Sequence, residues 1–193
     1  MDSLNGLLKE IRRCDVCSKA LPLGPRPVVQ AHRSARILIV GQAPGRRVHE
    51  SGVPWDDASG DRLRGWLGTD KKRFYDGANF ALVPMGFCYP GTGKSGDFPP
   101  RPECAPLWHT RLLEMMPNLK LTLLLSQYAH AYYLRERRKE SLTETVRAWK
   151  DYRPTPIPLP HPSPRNNRWL KKNPWFEKEV IPYLKRRVRS LLG

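Results

Sequence analysis

The chain has 193 residues, enough for one domain with a sizeable core, and its 34 Lys and Arg against 18 Asp and Glu leave a formal charge of +16. Such an imbalance attracts polyanions, nucleic acid before anionic membrane, or else serves as a solvated basic surface. No apolar run approaches the roughly 18 residues of a membrane span, and Met1 to Leu4 show no basic stretch leading into an apolar one, so neither a spanning helix nor a secretory signal is expected. The expected setting is the reducing cytoplasm, where cysteines read as metal-binding or catalytic rather than disulfide-forming. No membrane partner is expected, and the chain is expected to be a monomer.

Leu4, Leu7, Leu8 and Ile11 recur at helical spacing, with Asp2 or Ser3 as the cap, and the basic pair Arg12-Arg13 closes this helix just before Cys14. The Pro-rich stretch Leu21 to Pro27 predicts no element. Arg36 to Val40 is a continuous apolar run closed by Gly41, the pattern of a buried parallel strand. Phe80 to Val83, Leu121 to Leu125 and Ile157 to Leu159 behave alike, and Pro158 makes the last an edge strand. Helical patterns lie between them: Leu63, Trp66 and Leu67; Leu107, Leu112, Leu113 and Met116; Tyr128 to Arg138. A final helix carries Phe176, Val180, Leu184, Val188 and Leu191 on one face. Strands alternating with helices predict a three-layer α/β/α domain around a four-stranded parallel sheet, with ligands at the carboxyl ends of the strands.

The four cysteines form a close pair, Cys14 and Cys17, and a second pair, Cys88 and Cys104, with fifteen residues between. They read either as a metal site or as unrelated buried thiols. Gly41-Gln42-Ala43-Pro44-Gly45 is a tight turn after a strand, whose glycines allow a close backbone approach to a ligand; it lacks both the phosphate-loop Lys-Ser/Thr and the dinucleotide fingerprint. His161-Pro162-Ser163-Pro164 follows another strand, and its prolines stiffen the loop that carries His161, which reads as a catalytic or as a merely structural histidine. Arg165, Asn166, Asn167, Arg168 and Trp169 then combine cations, amides and an aromatic, suited to phosphate contact and base wedging, or to a basic helix cap.

Taken together these pieces resemble the uracil-DNA glycosylase superfamily, in its iron–sulfur branch. Gly41 to Gly45 is similar to the first family motif, Gly-Glu-Ala-Pro-Gly, and His161-Pro162-Ser163 to the second. Ser51 to Trp55, followed by Ser59-Gly60 and Leu63, is similar to the family's Gly-Arg-Pro-Phe-Val-Gly segment. The cysteine pattern is similar to that branch's cluster ligands, and the resemblance runs in order from Leu4 to Trp169. It implies DNA repair by removal of a deaminated base, uracil or a related one, flipped out of single- or double-stranded DNA. It also implies a structural [4Fe-4S] cluster on Cys14, Cys17, Cys88 and Cys104, with zinc as the alternative, clipping the N-terminal helix to the Cys88–Cys104 loop.

In the mechanism the resemblance implies, Trp55 stacks on the base, His161 stabilises charge on the departing base, and a water attacks the sugar. Gly41, Ala43 and Ser163 then belong to the base-binding loops. Two departures stand out. Gln42 and Ala43 replace the acid of the first motif; Gln42 can only orient a water or read a base edge, and Asp56 and Asp57 are the nearest replacement acids, unless they only solvate or cap. Pro84 stands where relatives carry a base-reading Asn, so the target base is open, with Asn79 or the backbone of Met85 and Gly86 as substitute readers. The loop Gly91 to Gly96 is expected to be flexible, with Lys94 on phosphate. A non-catalytic DNA-binding protein of the same fold is the alternative reading, and a generic metal protein binding RNA is a third.

Overall fold

The computed structural model describes residues 3–94 and 96–193. In chain order its helices are α1 (Leu4–Arg12), α2 (Arg46–Ser51), α3 (Ala58–Leu67), α4 (Lys71–Phe74), α5 (Cys104–Glu114), α6 (Gln127–Leu134), α7 (Leu142–Arg147), α8 (Asn167–Lys172) and α9 (Ile181–Leu192). The strands are β1 (Ile37–Val40), β2 (Phe80–Leu82), β3 (Thr92–Gly93), β4 (Gly96–Asp97), β5 (Leu121–Leu125) and β6 (Ile157–Leu159). Four of them form one parallel sheet in the order β2-β1-β5-β6, with Ile37 opposite both Phe80 and Leu121, and Leu123 opposite Ile157.

These strands are apolar at nearly every position because both faces are covered. Ile37, Ile39, Leu82, Leu123 and Leu159 face one layer, filled by Leu63 and Leu67 of α3, Val146 of α7, and Leu184 and Val188 of α9. The intervening Leu38, Val40, Ala81 and Leu124 face the other, filled by Leu7 and Ile11 of α1, Trp108 and Leu112 of α5, and Ala129 of α6. Alternation along each strand thus divides the core between two helical layers, giving the expected α/β/α architecture. Each fully buried Leu, Ile or Phe contributes about 1.5–3 kcal/mol by leaving water.

The sheet's edges are also managed as the sequence suggests. Pro158 sits in β6, an edge strand, where a missing N–H is tolerated. Beside β2, Gln30 exchanges two backbone hydrogen bonds with Leu82 (3.0 and 2.8 Å) and its side chain donates to the Phe80 carbonyl (2.9 Å), covering the other edge.

Several elements differ from expectation at their margins. Ser3 caps α1 by accepting the Gly6 N–H; Asp2, the other candidate, lies outside the described residues. On α5 the inward face is Ala105, Trp108, His109 and Leu112, and Leu107 is 40 % exposed. The helix begins at Cys104, and one face of 3.6-residue pitch cannot hold both 107 and 112 inward beside 105 and 108. The α-helix that covers Tyr128 ends at Leu134, where Arg135 takes φ +51°, and Arg135–Arg137 follow as a 3₁₀ turn, so the helical pattern extends nearly to Arg138 in a changed form. The last helix opens with a π-helical turn (Phe176–Val180) before α9. Helix α7 escaped the apolar periodicity, being six residues long; its signal was the capping box of Ser141 and Glu144. The Gly91–Gly96 stretch, expected to be flexible, pairs Thr92 with Asp97 and Gly93 with Gly96 as a β-hairpin.

Candidate active site

Gly41 to Gly45 leaves β1 at the carboxyl edge of the sheet, beside the point where the strand order reverses. Its backbone is locked to the next strand's exit: the Met85 N–H donates to the Gly41 carbonyl (2.9 Å) and the Gly86 N–H to the Gln42 carbonyl (3.0 Å). Trp55 lies against this turn. A Cβ on Gly41 would sit 2.8 Å from the indole, and one on Gly60 only 1.8 Å from the Trp55 carbonyl oxygen. Both positions therefore require glycine. Trp55 itself takes φ +59°, a conformation non-glycine residues rarely hold unaided. Arg64 holds it: this nearly buried guanidinium donates to the Trp55 carbonyl (3.3 Å), pairs with Asp61, and lies over the rings of Phe74 and Tyr75.

His161 emerges from β6 and stacks on Trp55, with ring centroids 5.6 Å apart at 27°. Its Nδ1 accepts the Ser163 N–H (3.2 Å), so the neutral ring carries its proton on Nε2. Burial lowers the His161 pKa, partly opposed by the charges of Asp57 and Asp97, which keeps the imidazole neutral at physiological pH. The loop is braced from within. The Asn166 amide donates to the His161 carbonyl (2.7 Å), and Arg62 donates to the Ser163 carbonyl (3.0 Å) and to Asn167 Oδ1 (2.7 Å).

The two loops meet in an open cleft of about 500 Å³, with Gly41, Gln42, Ala43, Trp55, Asp57, Pro84, Asp97, His161 and Ser163 on its walls. Arg165 and Asn166 complete one rim, and Lys94 and Arg168 are exposed, on the hairpin turn and on α8. Of the two replacement acids, Asp57 lines the cleft while its Oδ1 caps α3 by accepting the Gly60 N–H (2.8 Å). Asp56 does not line it; its charge is felt at Tyr75, whose phenol burial pushes above its ordinary value against the pull of Arg64.

The substitute base readers are not brought to the cleft. Asn79 precedes β2, at the opposite end of the sheet, and its amide donates to Asp76 Oδ2 (3.1 Å). Met85 is buried, and its N–H and that of Gly86 are spent on the first turn. Pro84 does line the cleft, but its carbonyl accepts from His109 Nε2 (3.0 Å), whose Nδ1 accepts the Tyr133 hydroxyl (2.6 Å). Burial lowers the His109 pKa to about 4, so this brace stays neutral.

Sequence reasoning missed Asp97 altogether. It enters the cleft from β4, on the hairpin between Cys88 and Cys104, and the glycines around it drew attention to flexibility instead. The usable signal was Thr92 and Asp97 flanking Gly93 and Gly96, a pattern that closes a short hairpin. The hairpin touches both loops. Gln42 Nε2 donates to the Phe98 carbonyl (3.2 Å), and the Arg165 guanidinium packs over Gly96, where a Cβ would clash at 2.2 Å.

Residues 29–185 match the family model of the uracil DNA glycosylase superfamily. The chain belongs to that superfamily. In this glycosylase-superfamily protein the matched span carries both cleft loops, Trp55, the hairpin, Cys88 and Cys104, while Cys14 and Cys17 precede it. No helix among the described residues is long and apolar enough to cross a membrane.

All four cysteines nevertheless line one small pocket, walled by Leu21, Pro25, Pro27, Phe87 and Trp108. Burial pushes the Cys88 thiol up to about 11 and the Cys104 thiol up to about 12, and raises Cys17 as well, with the Glu103 carboxylate adding to the effect there. The Phe87 N–H donates to Cys104 Sγ (3.3 Å). Among the described residues no three His, Cys, Asp or Glu side chains are grouped so as to hold one metal ion. A tetrahedral zinc site needs four sulfurs converging at about 2.3 Å from a single centre. An iron–sulfur cluster takes its thiolates on separate irons.

Proposed function

We propose that this protein is a monofunctional DNA glycosylase that hydrolyses the N-glycosidic bond of a deaminated base flipped out of DNA, acting as a cytoplasmic monomer. One observation carries the reading: in a chain of this superfamily, the Gly41 and His161 loops converge on one cleft with Trp55 between them. The aromatic wall suits a planar base, and His161 Nε2–H is a donor for the base oxygen on which negative charge develops. Gln42, held by the Phe98 carbonyl, contributes its side-chain oxygen to the cleft as an acceptor, and Gly41, Ala43 and Ser163 let the nucleotide approach the backbone. Lys94, Arg165 and Arg168 supply phosphate contacts at the rim; Asn166 and Asn167 brace the loop that presents them.

Cys14, Cys17, Cys88 and Cys104 would hold a [4Fe-4S] cluster in this reading, with zinc as the alternative. Such a group supplies a structural tie between the end of α1 and the start of α5. Nothing in the cleft depends on it chemically.

The test is base release from oligonucleotides carrying uracil, hypoxanthine or xanthine, single- and double-stranded, read as alkali-sensitive sites. Release from at least one strand, reduced about 100-fold or more in His161→Ala, is the expected result. A protein that binds every modified strand and cleaves none would instead be a DNA-binding member of the fold.

A further inference from the structure

We propose that Asp97 is the carboxylate that receives the proton of the attacking water, in place of the acid missing from the Gly41–Gly45 turn. This rests on the glycosylase reading and adds the base to it. Among the described residues the carboxylates that line the cleft are Asp57 and Asp97. Both are anchored through Oδ1, Asp57 as the cap of α3; what sets Asp97 apart is that it reaches the first turn itself, its Oδ2 standing 3.6 Å from where a Cβ on Gly45 would lie. Its other oxygen is fixed. Asp97 Oδ1 accepts the Thr92 hydroxyl, and Thr92 in turn accepts the hydroxyl of buried Tyr89 (2.6 Å). A carboxylate oriented through one oxygen leaves the other to hold a water. Its field also reaches His161, where it opposes the effect of burial alongside Asp57.

The step balances without a co-reactant. The water oxygen bonds to C1′ of the flipped nucleotide as the C1′–N bond breaks, and the base leaves with that electron pair, its oxygen held by His161 Nε2–H. The water's proton passes to Asp97 and then to solvent, and the released base anion takes a proton from solvent.

Asp97→Asn is the informative variant, since its amide oxygen keeps the Thr92 bond and the hairpin. With the full-length protein and the strand the wild type cleaves, single-turnover base release is expected to fall about 100-fold or more, while binding to that strand and the unfolding temperature stay at wild-type values. Asp97→Ala is expected to be equally slow and to recover part of its rate in formate, which restores a carboxylate in the gap; His161→Ala gains nothing from formate. Wild-type-like release by Asp97→Asn, a loss of DNA binding matching the loss of rate, or a larger loss in Asp57→Asn than in Asp97→Asn overturns the assignment and leaves the glycosylase reading standing. A wild-type protein inert on every strand overturns both.

Discussion

The cleft is open and lined from at least five separate segments of the chain, whereas the cysteine pocket is small and walled by proline and aromatic carbon. Both depend on the residues between Cys88 and Cys104. The first arrangement spends its side chains on directing hydrogen bonds and charge outward; the second spends them on enclosure. Substitutions in the cleft should therefore cost rate at little cost in stability, and substitutions in or behind its walls should do the reverse.

The largest expected effect separates these two directly. His161→Ala should lower base release about 10²–10³-fold through loss of one preorganised donor, with an unchanged unfolding temperature. Under the proposed cluster reading, Cys104→Ser should instead lose the iron, read by elemental analysis of the purified protein, and lower the unfolding temperature. A His161→Ala protein that unfolds early would break the contrast.

Gly60→Ala probes the wall of the cleft rather than its surface. With a Cβ 1.8 Å from the Trp55 carbonyl, backbone must move, and a loss of about 2–4 kcal/mol is expected in chemical denaturation, as for other overpacked or strained sites.

Acid should destabilise the fold through its buried histidines. His109 and His130 are each lowered to about 4, chiefly by burial. Both are neutral in the fold and gain a proton on unfolding below about pH 6.5, so their contribution is complete above that pH. It is lost as pH falls toward 4, about 3 kcal/mol per histidine at most. Denaturation curves at pH 7, 5.5 and 4.5 should show the decline, and His109→Gln should flatten it.

The smallest effect is a gain. Ser126 ends β5 with φ +122° and a buried hydroxyl that has no hydrogen-bond partner among the described residues. Ser126→Gly should stabilise the protein by about 1 kcal/mol, relieving both costs.

The strands and helix faces were readable because burial on two faces leaves uninterrupted apolar runs, and because α1 and α9 repeat Leu and Val at helical pitch. Gly41 and His161 were readable as loops at the same sheet edge for the same reason. Asp97 was not, since its place depends on a hairpin four paired residues long, stabilised by Thr92 and by the packing of Phe98 on Gly91 and Gly93. The exclusion of Asp56, Asn79 and Met85 was equally hidden. Each lies near the cleft or its loops in sequence, and only the turn at Trp55 and the direction of β2 decide which way they face.

Among the described residues the β3–β4 hairpin pairs with itself and with no strand of the main sheet. A segment outside the main sheet, held by its two ends and by side-chain contacts such as those of Gln42 and Arg165, can be lengthened, shortened or exchanged with little disturbance to the core. If the carboxylate travels on it, the reaction's general base is a removable part of the molecule. Gln42→Glu, which restores the motif's carboxylate, combined with a plain turn in place of the hairpin would move the base from one module to another, and a single chain could then run the same hydrolysis with its base seated on either wall.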